Sequence, residues 1–148
     1  SFFLHGGIFH LLGNLYFFLV FGDNVEDWLG KGRFLLLLLC ATFAGDILHI
    51  LADPRATTPC IGASGGISGI IAFYALKFPP ARLGFFLRFF FYFRWVHLPA
   101  WWLFLLWLAL QLWGVYAQIA GISNVSSLAH LGGAATGVLF WAVTRKNN

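Results

Sequence analysis

The chain has 148 residues, of which 60% are hydrophobic, 20% aromatic and only 9% charged, with a formal net charge of +4. A soluble domain is about 45–50% apolar and roughly 25% charged. Together with a mean hydropathy of +0.82, these figures exclude a water-soluble globule, and 18 Phe and 7 Trp exclude disorder, because so many rings must be buried in protein or lipid. A basic nucleic-acid-binding domain would not carry this much apolar surface, so no nucleic-acid partner is expected. The class is an integral membrane protein whose surroundings are the lipid bilayer. The sequence holds no Met and opens at Ser1 inside the run Phe2-Phe3-Leu4, so it reads as a fragment or a processed core.

A bilayer core about 30 Å thick takes roughly 17–25 apolar residues per helix. Five segments fit: about 6–22, 34–51, 61–78, 98–119 and 125–143. Pro79 and Pro80 stop the third, and Pro99 takes the tolerated first-turn position of the fourth. Between them lies FFLRFFFYFRWVH, too short and too charged for a sixth span, which reads as an interfacial segment. With five spans the loops alternate sides. One side receives Lys31, Arg33, Lys77, Arg82, Arg88, Arg94, Arg145 and Lys146, and the other only Arg55. The positive-inside rule makes the first side cytoplasmic. The loops Ala52–Cys60 and Ala120–Asn124 then face outward.

Polar groups inside lipid are costly, so each is a functional candidate until a structural role explains it. His10 lies about four residues into its span from the outer side, Ser64 about three and His130 about five. At 1.5 Å per residue all three fall roughly 5–8 Å below the outer ends, with Asn14 one turn deeper. A serine hydroxyl becomes a nucleophile when a base takes its proton, and histidine is the usual base. Ser64 stands in Gly62-Ala63-Ser64-Gly65-Gly66, where a substrate backbone meets no Cβ. Those glycines also have a packing role: Gly65 and Gly69, and Gly133 and Gly137, are four apart, so the third and fifth spans are expected to pack tightly. That packing is what would bring Ser64 to His130.

His10 and Asn14 share a helix face, and both can donate hydrogen bonds to a developing oxyanion. For Ser68, a hydroxyl bonded back to the helix carbonyl is favoured. Asp46 is a weak candidate to orient His130; a structural pair with His49 or a link to the nearby loop is favoured. Gln111 and Gln118 read as contacts that hold helices together, and Cys40 as a small hydrophobe. Gly62-x-Ser64-x-Gly66 formally matches the hydrolase nucleophile elbow, but neither the strand nor the parallel sheet that elbow needs is read here. No P-loop, GxGxxG, HExxH or cysteine metal spacing is present, so no cofactor or metal is expected. A transporter core would carry paired charges at mid-membrane, which are missing.

Three blocks, HGGIFHLLGN (5–14), GASGGISG (62–69) and AHLGGAATG (129–137), resemble the rhomboid intramembrane serine proteases. FGDNVEDWLG (21–30) and LPAWW (98–102) are similar to stretches of that family too. The resemblance covers nearly the whole chain, in order. It implies an all-α polytopic transmembrane bundle in which this chain shows the second to sixth core helices without the first, forming an N-terminally truncated rhomboid peptidase domain over residues 1–148. It implies that Ser64 is the nucleophile and His130 the general base, without an acid. His10, Asn14 and the Ser64 N–H would form the oxyanion hole, with Gly62 and Gly65 shaping the site. Glu26 would belong to a cytoplasmic-side structural motif, and His5 would order the outer side. The implied activity is cleavage of transmembrane protein substrates, in the cell (plasma or inner) membrane. A catalytically inactive rhomboid-like protein that binds transmembrane helices is the alternative, which loss of Ser64 or His130 would have marked.

Overall fold

A computed structural model describes residues 1–52, 54, 59–123 and 125–145. Arg55, Asn124 and Lys146, which enter the charge asymmetry and the loop assignments above, lie outside the described residues. The described elements run α1 (Ile8–Leu29), α2 (Lys31–Ala52), α3 (Ser64–Lys77), β1 (Arg82–Phe89), β2 (Tyr92–Pro99), α4 (Ala100–Ile119) and α5 (Ser127–Thr144). They form the expected helical bundle, in which α1, α2, α4 and α5 are each long and apolar enough to cross a membrane.

Helix α1 runs seven residues past the expected end at Gly22, because hydropathy marks the lipid boundary and not the end of a helix. Asp23, Asn24 and Asp27 prolong it as an exposed polar turn, while Val25 and Leu29 stay buried. It stops at Gly30, whose φ of 77° favours glycine and whose N–H donates to the Glu26 carbonyl at 2.7 Å.

Helix α3 has only 14 residues, about 21 Å at 1.5 Å per residue, and is shorter than the 61–78 span expected. Every residue from Gly65 to Ala75 is buried, because α3 packs against the other four helices. Protein surrounds it, so the non-helical backbone at Ile61–Ala63 is tolerable at membrane depth. Gly62, at φ 112°, makes the bend that lets the helix start at Ser64.

The expected tight packing of the third and fifth spans is present. A Cβ at Gly133 would fall on the Gly65 carbonyl, and one at Gly137 on the Gly69 carbonyl. Helix α2 joins the same seam: a Cβ on Gly45 would sit 2.6 Å from the Ala129 carbonyl oxygen, and one on Gly132 2.8 Å from that of Ala44. The fully buried large side chains, Phe73, Leu37, Ile70 and Val25, fill the end of the bundle where α1 and α3 finish and α2 begins. Lys77 caps that end, its ammonium 3.9 Å from the Trp28 ring centre. Helix α4 is the outlier, burying only Ala100 and Ala117.

The aromatic stretch expected as an interfacial segment is an antiparallel β-hairpin, with Phe86 opposite Trp95 and Arg88 opposite Phe93. Aromatic side chains suit a strand, and a run with one arginine every few residues has no polar helix face. The hairpin follows α3 and pairs antiparallel, so the nucleophile-elbow reading stays excluded.

Candidate active site

At the end of the bundle opposite the core, the starts of α1, α3 and α5 and the end of α2 surround a cavity of about 670 Å³. Ser64 is the first residue of α3, so its N–H belongs to the helix-terminal donors that lack an intrahelical acceptor and point out of the helix. Its Oγ lies 2.8 Å from Nε2 of His130, on the first turn of α5. The glycine seam sets this approach, since Ser64 directly precedes Gly65 and His130 lies three residues before Gly133.

The other ring nitrogen, Nδ1 of His130, lies 2.8 Å from Oε1 of Gln111 on α4. The assignment consistent with both contacts puts the proton on Nδ1, donating to Gln111, and leaves Nε2 to accept from Ser64. Asp46, the acid weighed as an orienting partner, is engaged elsewhere: it accepts from Ser1 Oγ at 2.6 Å. His49 bonds Ser126 Oγ at 2.8 Å, and Ser126 caps α5 by accepting from the Ala129 N–H. Both therefore tie α2 to neighbouring segments, the favoured reading. Ser68 donates to the Ser64 carbonyl at 2.6 Å, also as expected.

His10 and Asn14 line the same cavity. A Cβ on Gly62 would lie 2.8 Å from the His10 ring and 3.5 Å from Asn14 Nδ2, so this glycine keeps the two donors close to the chain leading into Ser64. The Gly6 N–H donates to His10 Nδ1 at 3.3 Å, which leaves the proton of a neutral ring on Nε2. Asn14 is buried, and its Nδ2 has no hydrogen-bond partner among the described residues, an uncommon state for an amide. His5 packs edge-on against the His10 ring at 5.2 Å. Gly65 lines the cavity too.

The structure thus gathers Ser64, His130, His10, Asn14, Gly62 and Gly65 around one cavity and adds Gln111, which the sequence alone marks only as a contact between helices. Ser, His and amide donors around a cavity at membrane depth can activate a hydroxyl and stabilise an oxyanion.

A profile of the Rhomboid domain matches residues 1–147. The chain belongs to the rhomboid family. It is 29% identical to RHOMBOID-like protein 12, mitochondrial, of Arabidopsis thaliana, over 99% of this chain and 45% of that protein. It is 29% identical to Rhomboid protein 1, mitochondrial, of Saccharomyces cerevisiae, over 98% of this chain and 41% of that protein. With Rhomboid protease GluP of Bacillus subtilis it shares 41% identity over 46% of this chain and 13% of that protein. The chain therefore spans less than half the length of each of these rhomboids. No solved structure matches it. As a rhomboid with apolar helices long enough to span, it is a multi-pass membrane protein.

Proposed function

We propose that residues 1–148 form a rhomboid peptidase domain, an intramembrane serine endopeptidase that cleaves transmembrane segments of other proteins. The single observation that carries this reading is the 2.8 Å contact between Ser64 Oγ and His130 Nε2 inside a cavity at one end of a helical bundle. A bilayer-embedded peptide bond is protected by its own helix, so a substrate segment must unwind at the site to present its carbonyl. Ser64 Oγ attacks that carbon while its proton passes to Nε2 of His130. The tetrahedral oxyanion takes hydrogen bonds from the Ser64 N–H, His10 Nε2 and Asn14 Nδ2, and the positive end of the α3 dipole favours it further. Collapse breaks the C–N bond, and His130 returns its proton to the departing amine. Water, deprotonated by the same base, then hydrolyses the acyl-enzyme and regenerates Ser64. Gln111 positions His130 throughout by accepting a hydrogen bond from its Nδ1–H.

The relatives' names support both arms of the reading: some are called proteases, others only rhomboid-like. The presence of both Ser64 and His130 favours the protease over a binding-only protein. The relatives include mitochondrial rhomboids of a plant and a yeast beside Bacillus subtilis proteins, so the cell membrane has no support over a mitochondrial one. The test is labelling with a fluorophosphonate probe in detergent, comparing the native sequence with Ser64→Ala and His130→Ala. Labelling of the native protein alone supports an activated Ser64. Absence of labelling in folded protein favours the binding-only reading.

A further inference from the structure

The β1–β2 hairpin takes no part in the proposed chemistry. Its base is fixed to the bundle: the Ala100 N–H donates to the Ala81 carbonyl at 2.8 Å, and Leu83 packs against the core. Beyond the base, the rings lie open. On one face Phe86 meets Phe93 and Trp95 at 5.8 and 5.3 Å, yet these three are 54%, 55% and 62% exposed. Tyr92, on the other face, is exposed as well. The two-residue turn is Phe90-Phe91, 77% and 94% exposed, with Phe90 at φ 51° in a place that hairpins usually give to Gly or Asn. A lone two-stranded hairpin is marginal in water, so an aromatic tip in a strained turn, with rings open on both faces, needs an apolar medium.

The charge pattern identifies that medium. Arg82, Arg88 and Arg94 punctuate the rings, Lys77 precedes them, and no acidic residue occurs in the sequence after Asp53. The Arg88 guanidinium stays over the Phe93 ring, 5.6 Å from its centre. Rings that dissolve in acyl chains, beside guanidiniums that reach out of them, match the boundary between lipid tails and phosphates.

We infer that the hairpin inserts its Phe90-Phe91 tip and its Phe86–Trp95 face into the leaflet at the cation-rich end of the bundle, with Arg88 and Arg94 binding lipid phosphates. Anionic lipids are the preferred partner, because two guanidiniums gain more from a net-negative surface. This surface is independent of the proteolytic reading.

The emission of Trp95, taken as the difference between the native protein and Trp95→Phe, reports its surroundings in proteoliposomes of phosphatidylcholine with or without phosphatidylglycerol. The expected result is loss of that emission with lipids brominated just below the headgroup, no loss with aqueous iodide, and stronger lipid quenching with phosphatidylglycerol. The double variant Arg88→Gln/Arg94→Gln should abolish the phosphatidylglycerol effect. Phe90→Gly/Phe91→Asn, which supplies a good hairpin turn without the rings, should weaken bromolipid quenching. Iodide quenching of the native protein would overturn the inference by placing the hairpin in water. Protection from both quenchers would overturn it in favour of a second copy of the chain covering the hairpin. A phosphatidylglycerol effect that survives loss of both arginines, or full quenching without the phenylalanines, would overturn it too.

Discussion

Gln111 and His130 lie on different helices, and Oε1 of the first stands 2.8 Å from Nδ1 of the second. The contact fixes which nitrogen of His130 faces Ser64, a role that carboxylates often take in soluble serine hydrolases. A carboxamide does it without placing a charge in the membrane.

Replacing Gln111 should therefore act through the base. Gln111→Leu is expected to lower kcat about tenfold to a hundredfold with KM nearly unchanged, less than the ~10²–10⁴ a general base contributes in full. Gln111→Glu keeps the acceptor and should retain more activity. Nitrogen NMR of the His130 ring should show the Nδ1–H form in the native protein and a mixture of tautomers in Gln111→Leu. A native-like ring spectrum in Gln111→Leu would reduce Gln111 to a packing residue.

Gly62 combines a φ of 112° with a Cβ position 2.8 Å from the His10 ring. Gly62→Ala should displace His10 and lower kcat by up to about a hundredfold to a thousandfold, the range reached on loss of an oxyanion donor. Gly121 also has a positive φ, 70°, but nothing lies within 4 Å of its Cβ position. Gly121→Ala should then carry backbone strain while keeping kcat, so turnover of the two variants separates crowding at the site from strain alone.

At Gly133 and Gly137 the seam between α3 and α5 should tolerate no methyl group. Gly133→Ala places a Cβ on the Gly65 carbonyl, and overpacking of this kind costs about 1–3 kcal/mol or more. At Gly32 nothing lies within 4 Å, so Gly32→Ala should be neutral or add a few tenths of a kcal/mol through helix propensity. Denaturation of both variants in mixed micelles, followed by Trp emission, gives the comparison.

Cys60 lies in the stretch leading to α3. Burial pushes its thiol up to about 11, with the Asp46 charge and a hydrogen bond to Asp46 adding to the effect. A raised pKa removes thiolate, the alkylating form, at neutral pH. Iodoacetamide should modify Cys60 slowly at pH 8 and rapidly only as pH approaches 11, and Asp46→Asn should move the reactive range to lower pH. Mass spectrometry of the Cys60 peptide across pH reads this out.

Much of the site was legible because depth in a membrane can be counted. Residue spacing put His10, Ser64 and His130 at similar positions in their spans, and the structure gathers them around one cavity; glycines four apart identified the seam. The role of Gln111 was not legible. Helix α4 carries Gln111 and Gln118 seven apart on one face of an otherwise apolar helix, which marks that face as inward but does not say which side chain each glutamine meets. Only packing shows that the face bearing Gln111 turns toward α5. The strands of the hairpin were not legible because composition marks an aromatic, arginine-punctuated stretch as interfacial without giving its secondary structure, which pairing alone shows. Asp46, only a weak candidate to orient His130, accepts instead from Ser1, a contact that no spacing encodes.

The absence of side chains at Gly65, Gly69, Gly133 and Gly137 has an evolutionary corollary. The separation of Ser64 and His130 is dictated by main chains in contact, so it is inherited with the backbone and owes little to rotamers. Lipid-facing leucines and phenylalanines on α1, α2 and α4 can drift in identity as long as they stay greasy. The α-hydrogens of Gly133 and Gly137 have no substitute, and a lineage that exchanged either for a methyl would part Ser64 from His130 while leaving both spelled in the gene.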